Sequence, residues 1–518
     1  MMGVGTSLSD DLRAAAKVHA DRPAVIDGDV TLSYTQLDGA AEAVALALRD
    51  LGVRDGDCVV WHGRKSSAGV ATVHGILRSG AGYVPLDPDG PIARADLITR
   101  SCAPRTVVAD GAARAQWDAL APGLSWTPLP ELPGADGLWA HLREGDSRPP
   151  VDDLAYVLHT SGSTGIPKGV IHTHASASAF VDWPVAELAL SSDDVIVNSA
   201  PLHFDPTTLH LFAAVRSGAA IALMPAAEAP FPAAYIDFCR RSGGTVLYAV
   251  TSTLVWLVRH GTSLLPGLIG LRSFVTGGEI LHPVDVNTLH AALPAMRLLN
   301  VYGPTESNVC TFHEIKPPLE PEDEVLIGRV LPGAEILVVD DDLDEVAPGE
   351  PGQLLVRGAM LMTGYLDPAQ TARSMVRTAD GREWYASGDQ VCENPDGDLR
   401  FIGRVDAQIK SRGYRVELGE VEKAVRRCEG IHEAVAVATP DPVFSNLITV
   451  FVTAEIEAAR ALRGRLTEYL PPYMLPRHVV HVDGELPRLS NGKVDRKSLS
   501  ELASSPRLPI MSGFAIFN

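Results

Sequence analysis

Residues Leu158 to His174 read LHTSGSTGIPKGVIHTH, and the middle of this stretch combines glycines, hydroxyl side chains and a single lysine. Glycine allows the backbone to approach an anion closely and to turn its N–H groups towards it, because no Cβ stands in the way. The side chains that add further donors are Thr160, Ser161, Ser163, Thr164 and Lys168. This combination predicts a cradle for a polyphosphate.

Two other interpretations of the same stretch compete. A flexible surface turn has a similar Ser/Gly composition. A Walker-type phosphate loop requires a lysine directly after its second glycine and a helix that begins there. Here Ile166 and Pro167 come before Lys168, and the residues that follow, GVIHT, predict a strand rather than a helix.

The chain has 518 residues, of which 46% are hydrophobic and 21% are charged. This composition supports a large buried core, and the length predicts two to four structural units. The formal net charge of −20 argues against nucleic acid or an anionic membrane as a partner. A phosphate site in so acidic a chain requires local positive charge, for which Lys168, Arg404 and Lys493 are candidates.

The six cysteines are scattered, with no Cys-x-x-Cys pair. A disulfide framework or a zinc site is therefore not expected, and a reducing, cytoplasmic location fits better. No Cys or Glu lies at ligand spacing from His172 and His174, so we interpret both as structural. The N-terminus lacks the features of a signal peptide, and no run of 18 apolar residues predicts a membrane helix.

Alternating strand and helix patterns begin near the N-terminus. Ala24 to Asp27 predicts a short strand, and residues 32–52 predict an amphipathic helix that ends at Gly52. Such alternation indicates a parallel, doubly wound α/β architecture. The proline-rich residues 120–150 predict a loop-rich connection, and the short β runs after Val325 predict a small β-rich subdomain.

The closing region predicts a separate α+β lid domain, because GEVEKAVRRC reads as a helix and HEAVAVATPD and LITVFVTAEI read as strands. We therefore expect an N-terminal core over residues 1–403, a mobile C-terminal lid domain over 404–505 and a tail over 506–518.

Four further segments carry residues suited to nucleotide chemistry, although each also fits an ordinary turn in isolation. They are NVYGPTE (Asn300 to Glu306), YASGDQV with Asp389, GRVDAQIKSRGYRVE from Gly403, and LPRLSNGKVDR with Lys493. The ring of Tyr302 offers a face on which an adenine can stack, and the amide of Asn300 can hydrogen-bond its exocyclic amine. Thr305 and Glu306 form a hydroxyl–carboxylate pair suited to Mg²⁺ that is shared with phosphate oxygens.

TSGSTGIPKGV resembles the phosphate loop of the adenylate-forming (ANL) superfamily, which includes acyl-CoA synthetases, luciferases and the adenylation domains of nonribosomal peptide synthetases. The other four segments resemble blocks of that family in the same order, so the resemblance runs from about residue 20 to about residue 500. The form NGKVDR is similar to the peptide-synthetase branch. The resemblance therefore implies a ligase that uses ATP and Mg²⁺ to form an acyl-AMP.

The resemblance also implies roles for individual residues. The implied catalytic residues are Thr160, Lys168, Glu306 and Lys493, and Lys493 would neutralise charge as pyrophosphate leaves. Glu306 is the implied metal ligand, Asp389 would bind both ribose hydroxyls, and Asp406 would be the hinge between the domains. The residues implied to bind ATP are Thr160, Ser161, Gly162, Ser163, Thr164, Gly165, Lys168, Asn300, Tyr302, Gly303, Thr305, Asp389 and Arg404.

HFDPTTLHLF contains Asp205 where amino-acid-activating members of the family keep an aspartate for the substrate ammonium. A buried carboxylate is useful there only if a cation always arrives, so Asp205 favours an amino acid. The alternative is that Asp205 caps the N-terminus of the helix that follows, with Pro206 in the first turn of that helix.

The positions implied to line the substrate pocket are Asp205, Pro206, Leu209, Ala249, Val275, Gly277, Val301, Val309, Cys310 and Lys493. Their largely apolar side chains predict an uncharged amino acid of small to medium size. Because Pro206 directly follows Asp205 and can reshape the turn, both an α- and a β-amino acid remain open.

In the second half-reaction that the resemblance implies, a phosphopantetheine thiol attacks the acyl-adenylate after the lid rotates about Asp406. No carrier motif follows Lys493, so we expect a stand-alone enzyme of natural-product biosynthesis that loads a separate carrier protein. An acid–CoA ligase is one alternative, against which Asp205 argues. A catalytically silent nucleotide-binding homologue is the other, although a pure binder has no use for Lys493.

Overall fold

The computed structural model describes residues 7–143, 145, 147–162, 166–405, 408–441, 443–489, 494–505 and 514–517. The strands are, in chain order, β1 (Pro23–Asp27), β2 (Val30–Ser33), β3 (Cys58–His62), β4 (Gly82–Pro85), β5 (Thr106–Asp110), β6 (Thr127–Pro128), β7 (Leu138–Leu142), β8 (Leu154–Thr160), β9 (Lys168–Thr173), β10 (Val195–Asn198), β11 (Ala220–Leu223), β12 (Val246–Val250), β13 (Ser273–Gly277), β14 (Arg297–Tyr302), β15 (Thr311–Ile315), β16 (Arg329–Val330), β17 (Ala334–Val339), β18 (Pro351–Gly358), β19 (Gly364–Tyr365), β20 (Met375–Arg377), β21 (Glu383–Glu393), β22 (Leu399–Arg404), β23 (Gln408–Ser411), β24 (Tyr414–Glu417), β25 (Ile431–Asp441), β26 (Ser445–Ala454), β27 (His478–Val482) and β28 (Phe514–Phe517).

The helices alternate with these strands. They are α1 (Leu8–Val18), α2 (Tyr34–Asp50), α3 (Ser67–Arg78), α4 (Ile92–Cys102), α5 (Gly111–Leu120), α6 (His174–Glu187), α7 (Ala214–Ser217), α8 (Pro232–Arg241), α9 (Thr251–Gly261), α10 (Pro283–Ala292), α11 (Pro368–Ser374), α12 (Leu418–Arg426), α13 (Ile456–Leu466) and α14 (Arg496–Ala503). A π-helical segment, Leu209–Ala213, leads into α7, and 3-10 turns cover Thr262–Leu268 and Pro472–Met474.

The chain divides into two compact units. The larger unit comprises Met1–Pro88, Thr99–Leu158 and Gly169–Val405. The smaller unit comprises Asp89–Ile98, His159–Lys168 and Asp406–Asn518.

Two large sheets and one smaller sheet form the larger unit. The first sheet has the order β16-β15-β14-β13-β12-β10-β11-β1-β2, and its strands from β14 to β1 run parallel. The second has the order β19-β9-β8-β4-β3-β5-β7-β6. Parallel neighbours need crossover connections, and α8, α9 and α10 each lie between consecutive parallel strands in the chain. The third sheet, β17-β18-β21-β20 with β22 beside β21, forms a β-rich region.

The smaller unit contains the hairpin β23-β24 and the sheet β25-β26-β27-β28. Buried residues of α12 and α13 pack on one face of that sheet, and Leu499 of α14 packs on the other. The mixed α/β fold, with a large N-terminal and a small C-terminal domain, confirms the predicted fold class.

Local boundaries differ from the sequence-based expectations in two places. Leu32 belongs to β2 and not to the helix, because Ser33 caps α2: its hydroxyl accepts from the Gln36 N–H at 3.2 Å, and the Gln36 side chain accepts from the Ser33 N–H at 2.8 Å. Residues 120–150 contain β6 and β7, and β7 pairs with β5. Alternation over five residues is too short a signal to separate such a strand from a loop.

In the part of the chain that the structure describes, no helix combines the length and the apolar character needed to cross a membrane.

Strand β28 lies in the segment for which the sequence predicts only a tail. It pairs antiparallel with β27, which would otherwise be an edge strand. Its alternating side chains reach both faces of the sheet: Ile516 packs in the cluster of Leu499, and Phe517 packs against the cluster of α12 and α13. The Arg460 guanidinium lies 5.6 Å from the centre of the Phe517 ring. The strand therefore stabilises the smaller unit from both sides.

We expect the double substitution Ile516→Ala and Phe517→Ala to destabilise the smaller unit by about 1–3 kcal/mol, because both side chains are partly buried. Amide hydrogen exchange in β27 should become faster. Ile456→Ala is the matched control, since Ile456 is 48% exposed in the same unit. Unchanged protection of β27 in the double variant would contradict this role of the strand.

Candidate active site

The carboxyl ends of three neighbouring parallel strands, β12, β13 and β14, form the centre of the candidate site. The register pairs Val250 with Gly277 and Gly277 with Val301. A Cβ on Gly277 would lie 2.1 Å from the Val301 carbonyl oxygen, which is far inside contact distance. Gly277 is therefore required for the close approach of β13 and β14.

The two faces of this part of the sheet carry different predicted residues. We call the face that carries Val275, Gly277 and Val301 the pocket face; Val275 and Val301 are fully or nearly fully buried there. Asn300 and Tyr302 alternate with Val301 along β14 and therefore lie on the opposite face.

Tyr248, rather than Ala249, lies on the pocket face. The register pairs Tyr248 with Val275 and Ala249 with Thr276. Tyr248 packs in the hydrophobic cluster that contains Val275 and Val301, whereas Ala249 packs in the cluster on the other side of the sheet. The structure thus places Ala249 on the opposite face of the sheet from Val275, and its role in the pocket stays a prediction. The sequence VLYAV fixes only the alternation of its side chains, and the face that each set occupies depends on pairing with β13.

Asp205 lies in the turn between β10 and the π-helical segment. The Thr305 hydroxyl donates to its Oδ2 at 2.7 Å. Burial raises the pKa of the Tyr156 and Tyr248 phenols, and the Asp205 carboxylate raises both further. The negative charge of Asp205 therefore acts on a tyrosine of β8 and on a tyrosine of β12. Pro206 and Leu209, which follow it, are buried.

A buried network connects the π-helical region with the loop after β14. The Thr208 hydroxyl donates to Asn308 Oδ1 at 3.3 Å, and Asn308 Nδ2 donates to the Tyr156 hydroxyl at 3.3 Å. Asn308 has φ of 58°, a left-handed conformation that Asn tolerates better than most residues. Val309 and Cys310 follow and are buried. The sequence does not single out Tyr156 or Asn308, although both lie within two residues of a quoted motif, because neither belongs to the motif itself.

The Glu306 carboxylate is fully buried, and the Tyr365 hydroxyl donates to its Oε1 at 2.5 Å. His172 Nε2 donates to the Thr305 carbonyl oxygen at 2.9 Å, because a carbonyl can only accept. Burial lowers the pKa of His172 to about 4, so this ring is neutral near pH 7 and fits a structural role. The Met362 N–H also donates to the Glu306 carbonyl at 2.7 Å. The loop that presents Glu306 is thus held from three sides.

Three predicted residues come together at Asp389. The Tyr302 hydroxyl donates to Oδ2, and the Arg404 guanidinium donates to Oδ1. Burial, and then the Asp389 carboxylate, raise the pKa of Tyr302 well above its usual value. Asn300 donates from Nδ2 to the Leu326 carbonyl at 2.8 Å. Gly303 follows Tyr302, and a Cβ there would lie 2.6 Å from the Asn308 carbonyl oxygen.

The glycine-rich stretch belongs to the smaller unit, and its donors already bind carboxylates. Lys168 Nζ lies 3.1 Å from Glu417 Oε1, and the Gly162 N–H donates to Glu420 Oε2 at 3.2 Å. The Ser161 hydroxyl accepts from the Glu417 N–H at 3.1 Å. The Thr160 hydroxyl is buried with no hydrogen-bond partner among the described residues. Carboxylate oxygens thus stand in for the oxygens of another anion, so the donor set fits phosphate.

Five predicted residues lie outside the described residues: Ser163, Thr164, Gly165, Asp406 and Lys493. Their roles remain predictions.

Residues 12–366 match the family model of the AMP-binding enzymes. The chain belongs to the AMP-binding enzyme family. Residues 420–493 match the model of the AMP-binding enzyme C-terminal domain. The chain is therefore a ligase of the adenylate-forming superfamily, as the resemblance of its five segments predicted.

Named relatives of this AMP-binding enzyme are similar over nearly their whole length. It is 34% identical to an L-proline--[L-prolyl-carrier protein] ligase of Pseudomonas fluorescens, over 92% of this chain and 95% of that protein. It is 35% identical to a protein of the same name from Streptomyces coelicolor, over 96% of each chain.

Solved structures show the same fold. IdnL1 is 29% identical, with a TM-score of 0.79 over 92% of this chain and 98% of that one. PA1221, described as a nonribosomal peptide synthetase protein with adenylation and PCP domains, is 27% identical, with a TM-score of 0.79 over 95% of this chain and 84% of that one.

Gly277→Ala should destabilise this AMP-binding enzyme by about 1–3 kcal/mol, because the new methyl group overlaps the Val301 carbonyl and forces β13 away from β14. Gly403→Ala is the control, since a Cβ there meets nothing within 4 Å. Denaturant unfolding of both variants tests the difference. Equal stability of the two variants would show that β13 and β14 can separate without cost.

Proposed function

We propose that this enzyme activates an uncharged amino acid of small to medium size with ATP and then transfers it to the phosphopantetheine thiol of a separate carrier protein. The observation that supports the proposal is the Asp205 carboxylate, which the Thr305 hydroxyl contacts, together with the buried and largely apolar side chains that we propose as the pocket lining. That lining comprises Leu209, Tyr248, Val275, Gly277, Val301, Val309 and Cys310.

A half-buried carboxylate beside apolar groups favours a substrate with an ammonium group. Removing a carboxylate from water is costly unless a cation or hydrogen-bond donors replace the lost solvation. The Thr305 hydroxyl donates to Asp205 Oδ2 at 2.7 Å and orients the carboxylate. A substrate ammonium would match the negative charge of this carboxylate, whereas a simple carboxylic acid has no group that would do so.

The pocket face supports a compact substrate. Tyr248 lies on the same face of the sheet as Val275, and its large side chain would limit the depth left for the substrate side chain. Apolar linings reject charged side chains because those would lose hydration without gaining a partner. The two L-proline carrier-protein ligases, related over almost their whole length, support a small amino acid with a carrier protein as acceptor.

ATP would lie against the residues that the structure groups around Asp389 and Glu306. Asp389 would accept from the ribose hydroxyls in place of the Tyr302 hydroxyl, with Arg404 beside it, and Asn300 and Tyr302 would contact the adenine. The donors of Thr160–Lys168, which bind two carboxylates here, would bind the phosphates. Glu306 and Thr305 would hold Mg²⁺ together with phosphate oxygens, since Mg²⁺ usually takes one or two carboxylates from a protein.

In the first half-reaction, a carboxylate oxygen of the amino acid attacks the α-phosphorus of ATP, and the bond to pyrophosphate breaks. Lys493 and Lys168 would neutralise charge on the phosphates as this occurs. In the second half-reaction, the carrier thiol attacks the carbonyl carbon and AMP leaves, while the thiol proton passes to solvent. No covalent bond to the enzyme is needed, so catalysis rests on positioning and on charge neutralisation.

Asp205→Asn should lower kcat/KM for the amino acid about 100- to 1,000-fold in pyrophosphate exchange, because the substrate ammonium loses its charged partner. The ratio of kcat/KM for the amino acid to kcat/KM for its analogue without the amine should fall by a similar factor. Asp193→Asn removes an 85% exposed carboxylate and is the matched control. A panel of α- and β-amino acids, proline included, identifies the substrate; exclusive activity with Asp, Lys or Ser would overturn the apolar pocket.

Lys493→Ala should suppress the formation of aminoacyl-AMP at least 100-fold and leave thiolation from preformed adenylate nearly unchanged. The two half-reactions are measured separately, by pyrophosphate exchange and by loading of the carrier protein from synthetic aminoacyl-AMP. An equal loss of rate in both half-reactions would contradict a specific role of Lys493 in the formation of aminoacyl-AMP. CoA supplied as the acceptor distinguishes an acid–CoA ligase from a carrier-protein ligase.

A further inference from the structure

Two segments that meet at the Asp205 carboxylate are linked at both of their ends. We call residues 205–208 the Asp205 turn and residues 305–308 the Glu306 loop. At the first link, the Thr305 hydroxyl donates to Asp205 Oδ2 at 2.7 Å. Three residues further on in both segments, the Thr208 hydroxyl lies 3.3 Å from Asn308 Oδ1 and 2.7 Å from the Asp205 carbonyl oxygen. The direction of the Asp205 carboxylate therefore depends on both links.

The Asn308 side chain also joins the Glu306 loop to strand β8. Its Nδ2 donates to the Tyr156 hydroxyl at 3.3 Å. The buried Tyr156 ring packs with the rings of Phe212 and His172, whose centroids lie 6.4 and 5.0 Å away. Rotation of the amide by 180° exchanges its donor and its acceptor and keeps the contacts with Thr208 and Tyr156. In either orientation, this amide joins the Asp205 turn, the Glu306 loop and β8.

The backbone of Asn308 restricts which residue can make these contacts. Its φ of 58° lies in the left-handed region, which Gly, Asn and Asp adopt most readily. Glycine has no side chain, and an ionised Asp can only accept, whereas the Asn amide both donates and accepts. The residue is 7% exposed, so its amide would lose solvation without these partners.

We propose that Asn308 is a positioning residue that sets the direction of the Asp205 carboxylate and thereby the preference for a substrate with an amino group. It acts through Thr208 and does not touch the substrate. This inference rests on the proposed role of Asp205. With the first link alone, the Asp205 turn can rotate about the contact with Thr305, and a displacement of about 1 Å can reduce a rate as much as about 100-fold.

Asn308→Gly removes the amide and still permits the left-handed backbone. We expect kcat/KM for the amino acid in pyrophosphate exchange to fall about 10- to 100-fold, while KM for ATP changes less than about twofold. The ratio of kcat/KM for the amino acid to kcat/KM for its analogue without the amine should fall by a similar factor. A general loosening of the larger unit would not lower this ratio selectively. In an Asp205→Asn background, Asn308→Gly should lower the ratio no further, because the carboxylate that it positions is absent.

The chain offers a matched control in the Asp205 turn itself. Thr207 and Thr208 are 1% and 2% exposed, and each donates from its hydroxyl to a backbone carbonyl. The Thr207 hydroxyl donates to the Pro201 carbonyl oxygen at 2.7 Å, and only Thr208 reaches Asn308 among the described contacts of these two hydroxyls. Thr208→Val should therefore lower the ratio about 2- to 10-fold, and Thr207→Val should leave it within about twofold.

Three results would overturn the proposal: an equal fall of the ratio in Thr207→Val and Thr208→Val, an equal change of KM for ATP and for the amino acid in Asn308→Gly, or a further fall of the ratio in the Asp205→Asn background. If Asn308→Gly does not fold, Tyr156→Phe takes its place. Its control is Tyr83→Phe, since the Tyr83 ring is equally buried and lies 5.5 Å from that of Tyr156. Failure of the proposed function is a separate outcome, because the ratio would then be unaffected by Asp205→Asn alone.

Discussion

The close parallel pairing of β13 with β14 is the constraint on which the candidate site depends. Gly277 permits this approach, because any side chain there would meet the Val301 carbonyl. Once the register is set, β14 carries residues proposed for both parts of the site: Val301 lies on one face, and Asn300 and Tyr302 lie on the other. A slip of one residue would exchange the two sets. Strand alternation alone thus separates the apolar Val301 from the polar Asn300 and Tyr302.

Hydroxyl groups hold the carboxylates that this arrangement brings together. Thr305 donates to Asp205, Tyr365 donates to Glu306, and Tyr302 donates to Asp389. A neutral donor orients a carboxylate while its charge remains, so the charge can still attract an ammonium group or a metal ion. The arrangement therefore suits a site that recruits cations, provided that they arrive with the substrates.

Short motifs identify the candidate site residues, and the alternation of strands and helices predicts the fold class, whereas neither signal predicts strand register. The glycine-rich stretch, the loop at Glu306 and the strand at Asp389 carry their chemistry in contiguous residues, so a linear reading finds them. The sequence does not show which side chains of β12 share a face with Val275. The pairing of Ala249 with Thr276 places Ala249 on the opposite face. The sequence does not identify Tyr365 as a partner of Glu306, because the two residues lie 59 positions apart along the chain.

The fold holds the proposed pocket residues of β13 and β14 rigidly. Val275, Gly277 and Val301 lie in the interior of a nine-stranded sheet, where neighbouring strands fix each backbone. Lys493 lies outside the described residues and, in its proposed role, acts in only one of the two half-reactions. A pocket that selects a substrate benefits from rigid walls, whereas a residue needed in only one of two half-reactions must be placed accurately and yet remain separable from the substrate.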